Sequence, residues 1–296
     1  MDDRENVRRL ADGAAFVDLS FWRKVVVAGP DGRAWLNDLV SADVSELEPG
    51  RARRSLLLSP TGRVRAEFTI VAREGGFVLV QDPMQPTAID ALLAPYTLSS
   101  AVAVEDRTAD LALFAFPGGQ DPAHIDIDID IAGVTASTPS CQGGGCDLLG
   151  PAEWHDDVAV ALTRRLKLVG NEELEAWRIL AGIPRLGVDA EQDDLPQEAA
   201  LTEWVAFDKG CYLGQEAVAK VQNLGHPRRL LLHLEALGEV APGDIVQVEG
   251  RHAGEVTSVA EAGNGRNVLF ARIRWGSRDG PFTTAMGTAL TPRREP

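Results

Sequence analysis

Lys24-Val-Val-Val-Ala-Gly-Pro-Asp-Gly32 reads as a β-strand running into a Pro/Gly turn, so the next residues are expected to form a helix. Asp31 is placed to cap that helix, and Trp35, Leu36, Leu39 and Val40 recur at helical spacing until Ser41 and the Pro49-Gly50 turn. Further on, Arg53 to Ser59, Arg63 to Ala72 and Phe77 to Gln81 are three β-like runs separated by Pro60-Thr-Gly62 and Glu74-Gly-Gly76. Such runs make a meander. Helical spacing returns in Pro86 to Tyr96, through Ile89, Leu92, Leu93 and Tyr96, and a short helical entry at Asn6 to Asp12 precedes the first strand. Strand, helix, three strands, helix is the order of an α+β fold and not of a doubly wound parallel sheet.

Outward from that block, Leu111 to Phe116 reads as a strand, and Ile125-Asp-Ile-Asp-Ile-Asp-Ile131 alternates with period two, which predicts one dry and one acidic face. Cys141-Gln-Gly-Gly-Gly-Cys146 reads as a mobile loop. Asn171 to Leu180 is a helix capped by Asn171 and stopped by Gly182-Ile-Pro184. From Leu230 the pattern changes to short strands with turns at Pro242-Gly-Asp244, Glu249-Gly250 and Gly263-Asn-Gly265, as in a small β-barrel. The expected organisation is an α+β region over 1–225, built as two subdomains, and a barrel over 226–296.

The 29 Lys+Arg and 44 Asp+Glu of the 296 residues leave a net charge of −15, which argues against a general nucleic-acid binder. Aliphatic stretches fall far below the ~20 residues of a membrane span, no secretory signal opens the chain, and three cysteines make no disulfide framework. A cytoplasmic protein without membrane contacts is expected. Arg51, Arg53, Arg54, Arg63 and Arg65 form a local basic cluster; drawn from adjacent strands, they would make either a solvated face or a cationic wall serving as an anion site for a phosphate, a carboxylate-rich ligand or an RNA backbone.

Asp208-Lys-Gly-Cys-Tyr-Leu-Gly-Gln-Glu216 carries the densest chemical signal. Two glycines bracket Cys211, Gln215-Glu-Ala-Val reads as a first helical turn, and Lys209 stands beside the thiol. A helix N-terminus and an ammonium both favour thiolate, while a small apolar residue in a structural turn fits the same pattern. Cys141 and Cys146 with Cys211 fall short of the four N/S ligands of a structural zinc, so no metal site is expected.

Lys209-Gly-Cys-Tyr-Leu-Gly-Gln-Glu216 resembles the K-G-C-Y-x-G-Q-E signature of the YgfZ family of folate-binding proteins, relatives of the glycine-cleavage T-protein, and an actinobacterial-like branch in particular. The resemblance extends to Val25 to Val40, Leu56 to Arg63, Leu195-Pro-Gln-Glu198 and Gly254-Glu-Val-Thr-Ser258. It implies two interleaved α+β domains and a C-terminal barrel in a T-protein-like ring around a folate channel. It also implies an accessory role in iron-sulfur enzyme assembly or repair, tRNA-thiolating enzymes included, with iron-sulfur enzymes or assembly factors as partners and folate as ligand. The alternatives are a tetrahydrofolate-dependent aminomethyltransferase and a non-catalytic ligand-binding module, the accessory factor being preferred to the transferase. Within the signature (Lys209, Gly210, Cys211, Tyr212, Gly214, Gln215, Glu216), Cys211 is implied as the key residue, with Lys209 its activator. Arg53, Arg65, Glu67, Trp177, Glu198 and Trp204 are the folate-binding candidates. Two positions depart from T-proteins: Ala66-Glu67 replaces a paired Asp-Asp, and Leu180 stands where R-L-E-A-G has glutamate, removing an expected anchor for the pterin.

Overall fold

The computed structural model describes residues 3–118 and 135–293, so the alternating stretch Ile125 to Ile131 lies outside the described residues. In chain order the elements are α1 (Asp3–Ala11), β1 (Ala15–Asp18), β2 (Arg23–Ala28), α2 (Gly32–Leu39), β3 (Ala52–Leu58), β4 (Val64–Arg73), β5 (Gly76–Gln81), α3 (Ile89–Leu93), β6 (Ala103–Asp106), β7 (Leu111–Phe116), β8 (Thr135–Ser137), β9 (Cys146–Pro151), α4 (His155–Thr163), β10 (Lys167–Val169), α5 (Asn171–Leu180) and α6 (Gln215–Leu224). The C-terminal strands are β11 (Arg229–Leu237), β12 (Ile245–Val248), β13 (Arg251–Gly263), β14 (Arg266–Arg274), β15 (Phe282–Thr284) and β16 (Ala289–Pro292).

Three β structures result. One antiparallel sheet runs β3-β4-β5-β2-β6, a second runs β10-β1-β7-β9-β8 with only β1 and β10 parallel, and the last six strands close as β11-β14-β13-β12-β15-β16. Closure leaves the barrel no unpaired edge. Because β1 belongs to the second sheet while β2 to β6 build the first, the chain enters one unit, builds the other and returns, which interleaves the two as expected.

The meander sheet is buried on both faces. Ala66, Phe68, Ile70 and Ala72 of β4 pack with Trp35, Leu36 and Leu39 of α2. On the other face Val71 joins Val78 and Val80 of β5, Val17, Leu113 and Leu149 of the second sheet, and Leu10 of α1. The period-two pattern of β4 thus serves two cores at once. A third contact joins body to barrel, where Ile179 of α5 packs on Leu231, Val268 and Phe270.

Local details correct the sequence reading. The Pro86 to Tyr96 helix shortens to α3 and one 3-10 turn at Ala94–Tyr96. Asp31 precedes α2, but its carboxylate accepts the Ala101 N–H at 2.7 Å and none from the helix. Gly170, not Asn171, caps α5, and the Glu173 side chain accepts its N–H at 3.0 Å. The glycine-rich loop is pinned and not free: buried Asp147 accepts Ser140 Oγ–H at 2.5 Å and Cys141 N–H at 2.7 Å, while Gly145 N–H donates to Pro117 O at 3.0 Å. A buried carboxylate with several donors holds a loop more firmly than its glycine content suggests.

Candidate functional site

Where β4, β5, α5 and the pinned loop meet, a cavity of about 880 Å³, counting its open mouth, is walled by Trp22, Trp204, Thr69, Leu174 and Pro184. Its polar groups are Arg54, Glu67, Asp82, Gln142, Glu175, Arg178 and Arg185. Alternation along β3 and β4 puts Arg54 and Glu67 on the cavity face. Arg54 is held at Cys141 O, 2.8 Å away, and lies over the Trp204 ring at 5.1 Å. Burial lowers its pKa.

Glu67 is the most perturbed carboxyl there. Its Oε1 accepts the Leu186 N–H at 3.2 Å, while its buried Oε2 has no hydrogen-bond partner. Burial raises its pKa to about 7, against the pull of Leu186 N–H and Arg54. A carboxyl poised near neutrality both donates and accepts, which is the property of a ligand-reading or proton-handling group. Cys141 lines the same cavity as a thiol: burial, then Asp147, push its pKa well above the usual value.

The opposite wall is an ion network. Arg178 donates to Glu175 Oε2 at 2.8 Å and Asp189 Oδ2 at 2.5 Å, and Arg185 donates to Asp82 at 2.7 Å. Asp189, fully buried, also accepts the Arg185 N–H and the hydroxyls of Thr257 and Ser258 on β13, at 3.0, 2.7 and 2.5 Å. It fastens α5, the segment after it and the barrel through one side chain. Nothing in the local sequence marks Asp189; the Thr-Ser pair of Gly254 to Ser258 was the available clue, and its partner lies 68 residues away from Thr257 in sequence.

The signature lies elsewhere. Lys209 Nζ donates to the carbonyl oxygens of Asn37, Val40 and Ala42, each at 2.7 Å, and so satisfies the C-terminal end of α2. Burial lowers its pKa to about 8, so it remains an ammonium at neutral pH. The ammonium expected to activate Cys211 is thus held at the end of α2 by three carbonyls. Cys211 is exposed, whereas Cys141 and Cys146 are buried, and it does not line the cavity. Tyr212 packs inward with Leu58, Val64 and Val218, its hydroxyl without a partner. Gly214, at φ +83°, starts α6, and an added Cβ would meet Ser59 O at 2.4 Å; Gly210 has open space. Gln215 and Glu216 form the first turn of α6, with Gln215 Nε2 donating to Lys209 O at 3.4 Å.

Of the folate candidates the structure brings Glu67 and Trp204 to the cavity and leaves the others outside. Arg53 projects from the opposite face of β3 to Arg54 and is exposed. Arg65 pairs with Asp193 at 2.9 Å, and Arg63 with Glu198 at 3.4 Å, so the basic cluster makes no single wall. Glu198 is a buried joint, accepting the N–H of Leu195 at 3.0 Å and of Arg228 at 3.1 Å. Trp177 is core, and a Cβ added at Gly143, the third residue of the glycine loop, would come within 2.5 Å of its ring. Leu180 packs between α1 and the barrel and not in the cavity, so it does not remove a ligand anchor; Glu175, one turn earlier on α5, faces the cavity instead. Among the described residues no group of three or more His, Cys, Asp or Glu is arranged to hold a metal ion, and no helix is long and apolar enough to cross a membrane.

Against known proteins, residues 3–123 match the GCVT N-terminal domain. An aminomethyltransferase of Streptomyces avermitilis is 26% identical over 99% of this chain and 87% of its own length. The tRNA-modifying protein YgfZ of Klebsiella pneumoniae is 26% identical over 76% of this chain and 72% of its own. The crystal structure of the glycine cleavage system aminomethyltransferase T from Bartonella henselae superposes with a TM-score of 0.80 at 20% identity, covering 98% of this chain and 89% of that one. That likeness is one of fold.

Proposed function

We propose that this chain, whose residues 3–123 match the GCVT N-terminal domain and which has YgfZ proteins among its relatives, is a YgfZ-like accessory protein supporting iron-sulfur enzyme assembly or repair. The observation that carries the reading is the placement of Cys211. It is the one exposed thiol of the three, on a loop fixed by the Lys209 clamp and outside the cavity. A surface thiol on a rigid mount can meet a partner protein or a cluster in transfer, whereas the reacting nitrogen of a transferase would lie in the cavity.

The cavity residues fit a folate. Glu67 offers a carboxyl oxygen with no partner, Trp22 and Trp204 offer flat apolar walls, and Arg54 supplies a buried cation. Bound tetrahydrofolate would supply nitrogens able to take up a one-carbon unit. Glu67 would orient its polar edge and hold or release a proton, while the pinned glycine loop would keep water from the inner wall.

In a strain lacking the protein, Cys211→Ala is expected not to restore iron-sulfur enzyme activity, while the purified variant keeps the wild-type melting temperature. Full restoration by Cys211→Ala refutes the accessory reading. Tryptophan fluorescence titrated with tetrahydrofolate tests the ligand separately: wild type is expected to respond, with weaker binding in Glu67→Gln. The transferase reading has its own support in Glu67, a carboxyl at one position of the T-protein pair. Methylene-tetrahydrofolate formed from an aminomethylated lipoyl carrier, and formed more slowly by Glu67→Gln, would favour that reading instead.

A further inference from the structure

The arginine cluster legible in the sequence disperses, but another is assembled by the barrel. Backbone pairing sets Arg229 against Arg274, Trp275 N–H donates to Arg228 O at 2.9 Å, and Arg274 Nη1 reaches His252 O at 3.4 Å. The start of β11, the end of β14 and the start of β13 thus share one end of the barrel. They bring together Arg228, Arg251, Arg274, His226 and His252, all exposed. Arg278 extends the group, its guanidinium 4.3 Å over the Trp275 ring, and the His226 ring stacks on Trp275 at 5.1 Å and 6°.

Arg228, Arg251 and Arg274 make no ion pair among the described residues, and Arg278 pairs with Asp279 at 3.3 Å. The carboxylates that approach the group are Glu198, whose Oε1 accepts the Arg228 N–H at 3.1 Å, and, in sequence and register, Glu249, Glu255 and Asp279. Neighbouring arginines of the barrel are paired: Arg229 and Arg272 bind Asp194, and Arg266 binds Glu235. Guanidinium groups without an ion pair, beside an exposed His226 ring stacked on half-buried Trp275, form a local exception on a chain of net charge −15. Arginines that follow a backbone, interleaved with a stacking platform, are what a single-stranded nucleic acid needs.

We propose that this end of the barrel docks a single-stranded nucleic acid, with Arg228, Arg251 and Arg274 on phosphates and one unpaired base on the outer face of His226. The inference is independent of the cavity and of Cys211, neither of which it uses. It narrows the expectation drawn from net charge, since the patch is local and the affinity it confers is salt-sensitive.

The test is fluorescence anisotropy of a labelled oligouridylate of about twelve nucleotides, titrated with the full chain at about 50 and 200 mM salt. Wild type is expected to bind at the lower salt. Arg228→Ala with Arg274→Ala should weaken binding about tenfold and reduce the slope of log K against log salt by about 1.4, from two lost contacts on a single strand. Arg51→Ala with Arg53→Ala removes the same charge elsewhere and should leave binding nearly unchanged. His226→Ala should weaken RNA but not inorganic polyphosphate. No binding at low salt overturns the proposal, as does equal loss in the two double variants. Equal effects of His226→Ala on RNA and polyphosphate also overturn it, because the site would then read charge alone.

Discussion

Lys209 and Glu67 are each governed by what burial does to a charge, with opposite outcomes. Lys209 keeps its ammonium because three carbonyl oxygens at 2.7 Å replace water. Lys209→Met would leave those acceptors of α2 without their donor, and a loss of about 2–3 kcal/mol is expected in urea denaturation. Cys211→Ala, at an exposed position, should stay within about 0.5 kcal/mol of wild type. Glu67 lacks such compensation, and its pKa rises from 4.5 to about 7. The folded state then holds a proton that the unfolded state releases between those values. Stability associated with Glu67 is full below pH 4.5 and declines as pH rises to 7, by at most about 3 kcal/mol. Glu67→Gln should therefore melt higher than wild type at pH 8, with the difference vanishing toward pH 4.5.

At the scale of elements, the signature is a device for joining α2 to α6. Gly214 turns the chain where Ser59 O leaves no room for a side chain, and the α2 end receives Lys209 five residues earlier. The two bracketing glycines are consequently unequal. Gly214→Ala should lower the melting temperature strongly, by the equivalent of about 1–3 kcal/mol, and Gly210→Ala should be nearly neutral in the same measurement. Asp189 plays the corresponding part for α5 and β13. Asp189→Ala would take one of two carboxylates from Arg178, which is 3% exposed and keeps Glu175, and remove the acceptor of two barrel hydroxyls. A cost of about 3–5 kcal/mol is expected, with amide hydrogen exchange on β13 accelerating ahead of that in β4.

Across the whole molecule the barrel is bound into the body by three kinds of contact. Ile179 supplies an apolar one, Asp189 a buried polar one, and Asp194 with Arg229 and Arg272 a charged one. Calorimetry is expected to show a single cooperative transition, and a chain ended after Gly225 should aggregate, because it exposes Ile179 and leaves Asp189 and Asp194 without their barrel partners. Two separate transitions, with a soluble truncated chain, would contradict that coupling.

Local pattern was enough for the α+β class, the meander and the barrel, because strand alternation and turn glycines are written over a few residues. Glu67, named for its match to one position of the T-protein pair, and Trp204, named with Trp177 as a candidate stacking ring, do line the cavity, while Trp177 does not. What the side chains meet was decided only in three dimensions. Arg53 and Arg54 are neighbours in sequence but fall on opposite faces of β3, so a count of arginines could not show which one enters the cavity. Leu180 and Glu175 differ by a rotation about α5, and Lys209 bonds residues 172 positions away. Pairing across such distances depends on the packed sheets and helices around it, and no spacing within the chain encodes it.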